Sequence, residues 1–103
     1  MSGYVIAVDF RLHPGRRGAF RRLIDENARA SVRDEPGCRR FDVLEPKGEA
    51  DRIFLYEIYD DRAAFEAHLK TPHFAVFNKA SEVLVADRQI MEYALVCEGS
   101  AKL

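Results

Sequence analysis

The chain has 103 residues, of which 48% are apolar and 32% charged, and its formal net charge is −1. This length predicts a single domain over residues 1–103, with a structured core over about residues 3–97. The balanced charge argues against a nucleic-acid partner, and no apolar run is long enough for a membrane span. Because no basic segment followed by an apolar one opens the chain, we expect a cytoplasmic protein.

Alternating apolar residues predict a first strand over residues 4–12, which the His13-Pro14-Gly15 turn ends. Apolar residues then recur at spacings of three and four over residues 17–34, the pattern of an amphipathic helix. The Glu35-Pro36-Gly37 segment stops this helix.

The middle of the chain predicts a hairpin. A short strand over residues 38–45 leads through a polar turn at residues 46–51 into a third strand over residues 52–59. The third strand is apolar on both faces apart from Glu57, which is typical of a central strand.

Two helices follow the third strand. Asp60 or Asp61 can cap a short helix, and Thr71-Pro72 begins another that runs to Leu84. Alternation returns over residues 89–97 as a last strand, and residues 98–103 are expected to fray. Inward residues of the short helix are Ala64, Phe65, His68 and Leu69.

This order of elements predicts an α+β, ferredoxin-like fold, the split βαβ arrangement, with an antiparallel sheet and helices on one face. The helices cannot cover both faces of the sheet, so a second copy is expected to cover the other one in a homodimer. Cys38 and Cys97 lack zinc-site spacing and are expected to be small core residues.

Several segments together resemble one family, the antibiotic biosynthesis monooxygenase domain family, over nearly the whole chain. The combined pattern is also similar to its autoinducer-2 phosphate isomerase (lsrG-like) branch. The segments are Glu35-Pro36-Gly37-Cys38, Phe41-Asp42-Val43-Leu44, Tyr56-Glu57-Ile58-Tyr59, Ala63-Ala64-Phe65-Glu66-Ala67-His68 and Thr71-Pro72-His73-Phe74.

The resemblance implies a dimeric α/β barrel with a small-molecule pocket between the sheet and the helices. It implies cofactor-free oxygenases acting on quinols, isomerases, or haem-degrading enzymes, whose pattern includes a tryptophan that this sequence lacks. No Gly-rich loop or metal-ligand spacing is present, so we expect neither a cofactor nor a metal.

Asn27 and Glu57 are candidate catalytic residues. Asn27 lies on the apolar stripe of the first helix, where its amide could bond to backbone or donate to a substrate oxyanion. Glu57 shares a strand face with apolar residues, so burial would raise its pKa and make it a usable acid or base. Alternatively, Glu57 forms a structural ion pair with an arginine on a neighbouring strand: Arg11, Arg39 or Arg40.

His68 and His73 flank the corner between the two short helices. His68 is expected on the inward side, and His73 in the first turn of the next helix. Each could be a hydrogen-bonded core residue, but together with Glu57 they favour a catalytic site. His13, beside Pro14, is expected at the surface. Aromatic residues that are core by composition, and could also bind substrate, are Phe41, Tyr56, Tyr59, Phe65, Phe74 and Phe77.

The sequence thus predicts a small-molecule enzyme that removes a proton from a phenol or beside a carbonyl. A cofactor-independent quinol monooxygenase is the first interpretation, and an isomerase of a phosphorylated ketone is the alternative. A ligand-binding module without catalysis is the third, because a fold does not determine function.

Overall fold

The structure, a computed structural model, describes residues 3–99. Three helices and a four-stranded antiparallel sheet follow one another in the predicted order, which confirms the ferredoxin-like arrangement. The order across the sheet is β2-β3-β1-β4. The elements are β1 (Gly3–Leu12), α1 (Arg17–Asp34), β2 (Cys38–Leu44), β3 (Arg52–Tyr59), α2 (Arg62–His68), α3 (Pro72–Ser81), a 3₁₀ turn (Glu82–Leu84) and β4 (Val85–Leu95).

Local signals set where the two short helices begin. The Asp61 carboxylate accepts a 2.8 Å hydrogen bond from the Ala64 amide, so Asp61, not Asp60, caps α2. The Thr71 hydroxyl accepts from the Phe74 amide at 3.2 Å, and Pro72 occupies the first turn of α3. These two caps place α2 and α3 head to tail, with a corner between them.

One face of the sheet carries the core. Ile6, Val8 and Phe10 of β1 point to the helices, and their partners on β3 point the same way. Glu57 lies opposite Ile6 and is therefore on this helix-facing side. The buried residues that fill the space between sheet and helices include Phe20, Ile24, Phe41, Ile53, Leu55, Tyr59 and Phe77.

The opposite face of the sheet has no helix over it in the described part of the chain. Val5, Ala7 and Ile58 form its buried centre, because side chains of neighbouring strands shield them. Tyr93 on β4 is 54% exposed on this face. The homodimer therefore stays a prediction, with an apolar surface available for it.

The last strand, β4, begins at Val85 and ends at Leu95, so it starts before and ends before the predicted span of residues 89–97. Pairing with β1 extends from Gly3 opposite Leu95 to Leu12 opposite Val85, so β1 imposes the strand on the polar residues before Gln89.

Three smaller expectations need correction. Cys97 is exposed and is not a core residue, whereas Cys38 is buried as predicted. Leu69 follows the end of α2 and is 42% exposed, so it does not point fully inward. The predicted second helix ends at Ser81, and only a 3₁₀ turn continues to Leu84.

Two expectations lie at the margins of the described residues. Glu98 and Gly99 follow the last strand without regular structure, and the rest of the expected frayed tail lies outside the described residues. Within residues 3–99, no helix is long and apolar enough to cross a membrane.

Candidate active site

A small cavity of about 60 Å³ lies between the sheet and the helices. Its walls are mostly apolar, and a few polar side chains converge on it, which is the usual composition of a small-molecule site. Three of the four predicted catalytic residues, Asn27, Glu57 and His68, line this cavity.

Asn27 reaches the cavity from α1 and is only 3% exposed. Its side-chain oxygen has no hydrogen-bond partner among residues 3–99. An unsatisfied buried polar group costs about 1–3 kcal/mol, so a ligand hydroxyl that bonded to this oxygen would relieve the penalty.

Glu57 is 3% exposed and accepts a 2.6 Å hydrogen bond from the Tyr59 hydroxyl at Oε1. Burial raises the pKa of Glu57 to about 7, although the Tyr59 hydrogen bond opposes this effect. At neutral pH the carboxyl group is therefore divided between its acid and base forms.

The alternative ion pair of Glu57 with a strand arginine is wrong. The three arginines considered for it pair with other carboxylates, because each lies on an exposed edge or on the opposite side of the sheet. These pairs are Arg11 with Asp87, Arg39 with Asp60, and Arg40 with Asp42.

Glu35 joins the two histidines. Its Oε2 lies 2.8 Å from His68 Nδ1 and 2.6 Å from His73 Nε2. Glu35 is the residue that ends α1, His68 ends α2, and His73 lies in the first turn of α3. The corner between α2 and α3 brings these three side chains together.

The Glu35 contact determines the tautomer of His68. A carboxylate oxygen accepts a hydrogen bond, so Nδ1 carries the ring proton and Nε2 of this cavity-lining histidine keeps a lone pair. The Ser31 hydroxyl lies 3.4 Å from Nδ1 but donates its hydrogen bond to the Asn27 backbone carbonyl. Desolvation lowers the pKa of His68, with the Glu35 hydrogen bond opposing it, so the ring favours its neutral, basic form.

The same three residues could hold a metal ion. One ligand atom from each of Glu35, His68 and His73 lies within 4.8 Å of the others. Both imidazoles contact a single carboxylate oxygen, Oε2, whereas Oε1 of Glu35 is buried without a hydrogen-bond partner among residues 3–99. The expected absence of a metal stays a prediction.

The aromatic residues divide between the cavity and other locations. Phe41, Phe65, Phe74 and Phe77 line the cavity as predicted. Tyr59 is fully buried behind Glu57 and acts on the site through its hydrogen bond.

Tyr56 corrects the predicted substrate-binding set. It pairs with Ala7 and Asp42 and lies on the face away from the helices, because successive strand residues point to opposite sides and Glu57 takes the inward one. His73 also does not line the cavity, but it is linked to the cavity-lining His68 through Glu35 and by a ring contact with 6.0 Å between centroids.

Sequence reasoning did not include Glu35 or Arg88 in the site. Glu35 was noted as part of a helix stop and of a segment that resembles the family, not as a site residue, and its separation of 33 residues from His68 hides their contact. Arg88 lines the cavity from β4, in a stretch that was not predicted as a strand. A full-length pairing of β4 with β1 would have placed Arg88 opposite Phe10, on the helix side.

Comparison with known proteins places this geometry in a family. Residues 3–80 match the model of the family described as antibiotic biosynthesis monooxygenase. The chain belongs to this family. The match confirms the resemblance found in the sequence.

Relatives with assigned names support the isomerase branch. An isomerase of (4S)-4-hydroxy-5-phosphonooxypentane-2,3-dione from Klebsiella pneumoniae is 38% identical over 86 residues, covering 82% of this chain and 87% of that protein. A protein of the same name from Escherichia coli O9:H4 is 34% identical over 71 residues, covering 69% and 73%.

Solved structures of this monooxygenase family share the fold. One from Nitrosomonas europaea, whose assignment as an antibiotic biosynthesis monooxygenase is itself provisional, has a TM-score of 0.85 and 30% identity over 88% of each chain. Another from Bacteroides thetaiotaomicron has a TM-score of 0.89 and 23% identity, covering 98% of this chain and 96% of that one. The second likeness shows the fold alone.

Proposed function

We propose that this family member is an isomerase that moves a proton beside a carbonyl group of a small phosphorylated hydroxy ketone. The observation that carries the proposal is the 2.8 Å contact between Glu35 and His68 Nδ1, which leaves Nε2 as a base at the cavity. The names of the Klebsiella and Escherichia relatives supply the substrate class.

In this reaction His68 Nε2 removes a proton from the carbon next to the carbonyl. The electron pair of the broken C–H bond moves to the carbonyl oxygen and gives an enolate. Protonated Glu57 and the Asn27 amide line the cavity and can donate hydrogen bonds to that oxygen. The hydroxyl on the deprotonated carbon then loses its proton and becomes the new carbonyl, while the former carbonyl oxygen gains a proton and becomes a hydroxyl. The abstracted proton returns to the former carbonyl carbon, and no oxidant is consumed.

The relatives change the order of the functional interpretations. The sequence put a quinol monooxygenase first and an isomerase second, and the isomerase now has the better support. The oxygenase remains the second candidate because an enolate or phenolate formed by the same base can reduce dioxygen. The 30% identity to the Nitrosomonas europaea protein, which is named as a monooxygenase, favours it. A ligand-binding module without catalysis is the third.

Proton transfer and oxygen consumption separate these candidates. Purified protein, treated with EDTA, is incubated in D₂O with (4S)-4-hydroxy-5-phosphonooxypentane-2,3-dione or with a hydroquinone. Proton NMR follows the carbon-bound hydrogens, and an oxygen electrode follows dioxygen. We expect isomerisation of the phosphorylated dione with deuterium incorporation at an unchanged oxygen level.

Oxygen uptake with the hydroquinone, and no reaction of the dione, would favour the oxygenase. If neither compound reacts, but either one raises the melting temperature, the ligand-binding module is correct. Loss of the isomerase activity on EDTA treatment, with recovery on adding zinc, would overturn the expected absence of a metal.

A further inference from the structure

Arg88 is the one arginine on the described strands that lacks an ion pair. Arg11, Arg39, Arg40 and Arg52 each contact an aspartate at the edge or on the open face of the sheet. Arg88 lies opposite Phe10 on the side that faces the helices. It is exposed there, and no carboxylate within residues 3–99 neutralises it by direct contact.

Arg88 lies where the apolar cavity meets a second, open cleft; these two are called the hollows below. It lines the apolar cavity together with Glu57 and His68, and it also lines an adjoining open cleft of about 450 Å³. Phe10 is the other residue that lines both. A ligand can therefore place one end in the cavity and the other against the Arg88 guanidinium.

The open cleft offers further polar groups, which do not line the cavity. Asn78 and Ser81 from the end of α3 line it with Arg88. The Ser81 hydroxyl is buried, and its contact with the Asn78 carbonyl is long, at 3.5 Å. Glu82 also lines this cleft, and its carboxylate opposes an anion there.

We propose that Arg88, assisted by Asn78 and Ser81, forms a subsite for the phosphate group of the substrate. A guanidinium presents paired N–H donors that match phosphate oxygens, and hydroxyl and amide donors complete such a site. The subsite rests on the proposed function, since the carbonyl end of the same molecule must reach His68.

Binding measurements without chemistry test the subsite. Isothermal titration at low ionic strength compares dihydroxyacetone phosphate with dihydroxyacetone on the native protein. The test variant is Arg88→Gln. The matched control is Arg29→Gln, because Arg29 is also exposed but lies on α1, away from both hollows.

We expect the phosphorylated probe to bind native protein and Arg29→Gln at least about tenfold more tightly than dihydroxyacetone. Arg88→Gln should abolish this preference. Glu82→Gln should strengthen it, because the opposing carboxylate is removed. All variants are checked for a native melting transition.

No preference for the phosphorylated probe in the native protein would overturn the subsite. An equal loss of preference in Arg88→Gln and Arg29→Gln would also overturn it, because only the overall charge would then matter. Deuterium exchange is read separately. Exchange without a phosphate preference overturns the subsite alone, and a phosphate preference without exchange overturns the proposed function alone.

Discussion

The Tyr59 hydroxyl donates a 2.6 Å hydrogen bond to a carboxyl group, Glu57, whose pKa burial has raised to about 7. The phenol hydroxyl donates a hydrogen bond to Glu57 Oε1, which can accept it whether or not the other carboxyl oxygen is protonated, so the carboxyl group is held in place in both protonation states. Burial, not a charged partner, therefore determines how readily Glu57 ionises.

The stability of the protein should depend on pH through Glu57. Between about pH 4.5 and 7 the folded protein keeps the Glu57 proton while the unfolded chain releases it, so the free energy of unfolding falls as pH rises. Glu57→Gln should remove this fall. The free energy of unfolding of the variant, relative to that of the native protein, should therefore rise by about 3 kcal/mol between pH 4 and pH 8.

Urea denaturation across this pH range measures the difference. Glu26→Gln is the control, because Glu26 is an exposed acid on α1. Parallel curves of stability against pH for the native protein and Glu57→Gln would show that Glu57 titrates normally.

The rate of isomerisation should pass through a maximum in pH. His68 must be neutral to accept a proton, and because burial lowers its pKa, the acid limb should lie below the usual range of a histidine. Glu57 donates only when protonated, so the rate should fall above about pH 7. In Glu57→Gln the alkaline limb should disappear, since an amide keeps its donor. An alkaline limb unchanged in that variant would exclude Glu57 as the group responsible.

Removal of the proposed base should stop turnover. We expect His68→Gln to lower turnover by about a hundredfold or more, because general-base catalysis contributes on this scale. His13→Gln is the matched control, since His13 is an exposed histidine in the turn after β1. Rates per folded molecule, measured beside melting temperatures, separate catalysis from stability. Equal turnover of His68→Gln and His13→Gln would show that His68 is structural and not the catalytic base.

Glu35 is expected to act as a positioning residue. Glu35→Gln keeps the shape but removes the charge, so the rate should fall by about tenfold or more. The carboxylate raises the pKa of His68, so its removal should also move the acid limb to lower pH. Glu66→Gln on the exposed side of α2 provides the control. A purely structural Glu35 would alter the melting temperature and leave the acid limb in place.

The open face of the sheet should bury itself in a homodimer. Tyr93→Arg places a charge on that face, whereas Val83→Arg places one on the 3₁₀ turn. Light scattering at micromolar concentration should show a dimer for the native protein and Val83→Arg, and a monomer for Tyr93→Arg. A monomeric native protein would exclude the dimer at once.

Local signals explain how much of the fold was predictable. Asp61 and Thr71-Pro72 are residue types that favour helix N-termini, and in the structure Asp61 and Thr71 are the N-caps of α2 and α3. The extent of β4 was not predictable from its own residues, because pairing with β1 imposes it. Local pattern thus predicted the elements, and tertiary pairing set the length of the last one.

The site was predictable where side chains follow a periodic element. Asn27, Glu57 and His68 lie inward because helix and strand periodicity require it. The same alternation excludes Tyr56 once Glu57 is inward, a constraint that aromatic composition alone does not reveal. Glu35 has no periodic context, since it follows α1, and only the packing of the α2–α3 corner brings it to the histidines.

The Glu35 bridge also has a consequence for local opening of the native state. It joins the end of α1 to the corner between α2 and α3, and α2 has only seven residues. A helix this short has little stability of its own in water. The Glu35 carboxylate between the two imidazoles therefore contributes to the order of the corner, together with the 2.7 Å hydrogen bond from the Thr71 hydroxyl to the His68 carbonyl. The same local unfolding of this corner would then permit both amide hydrogen exchange and entry of a ligand into the cavity. Its free energy should lie well below that of global unfolding.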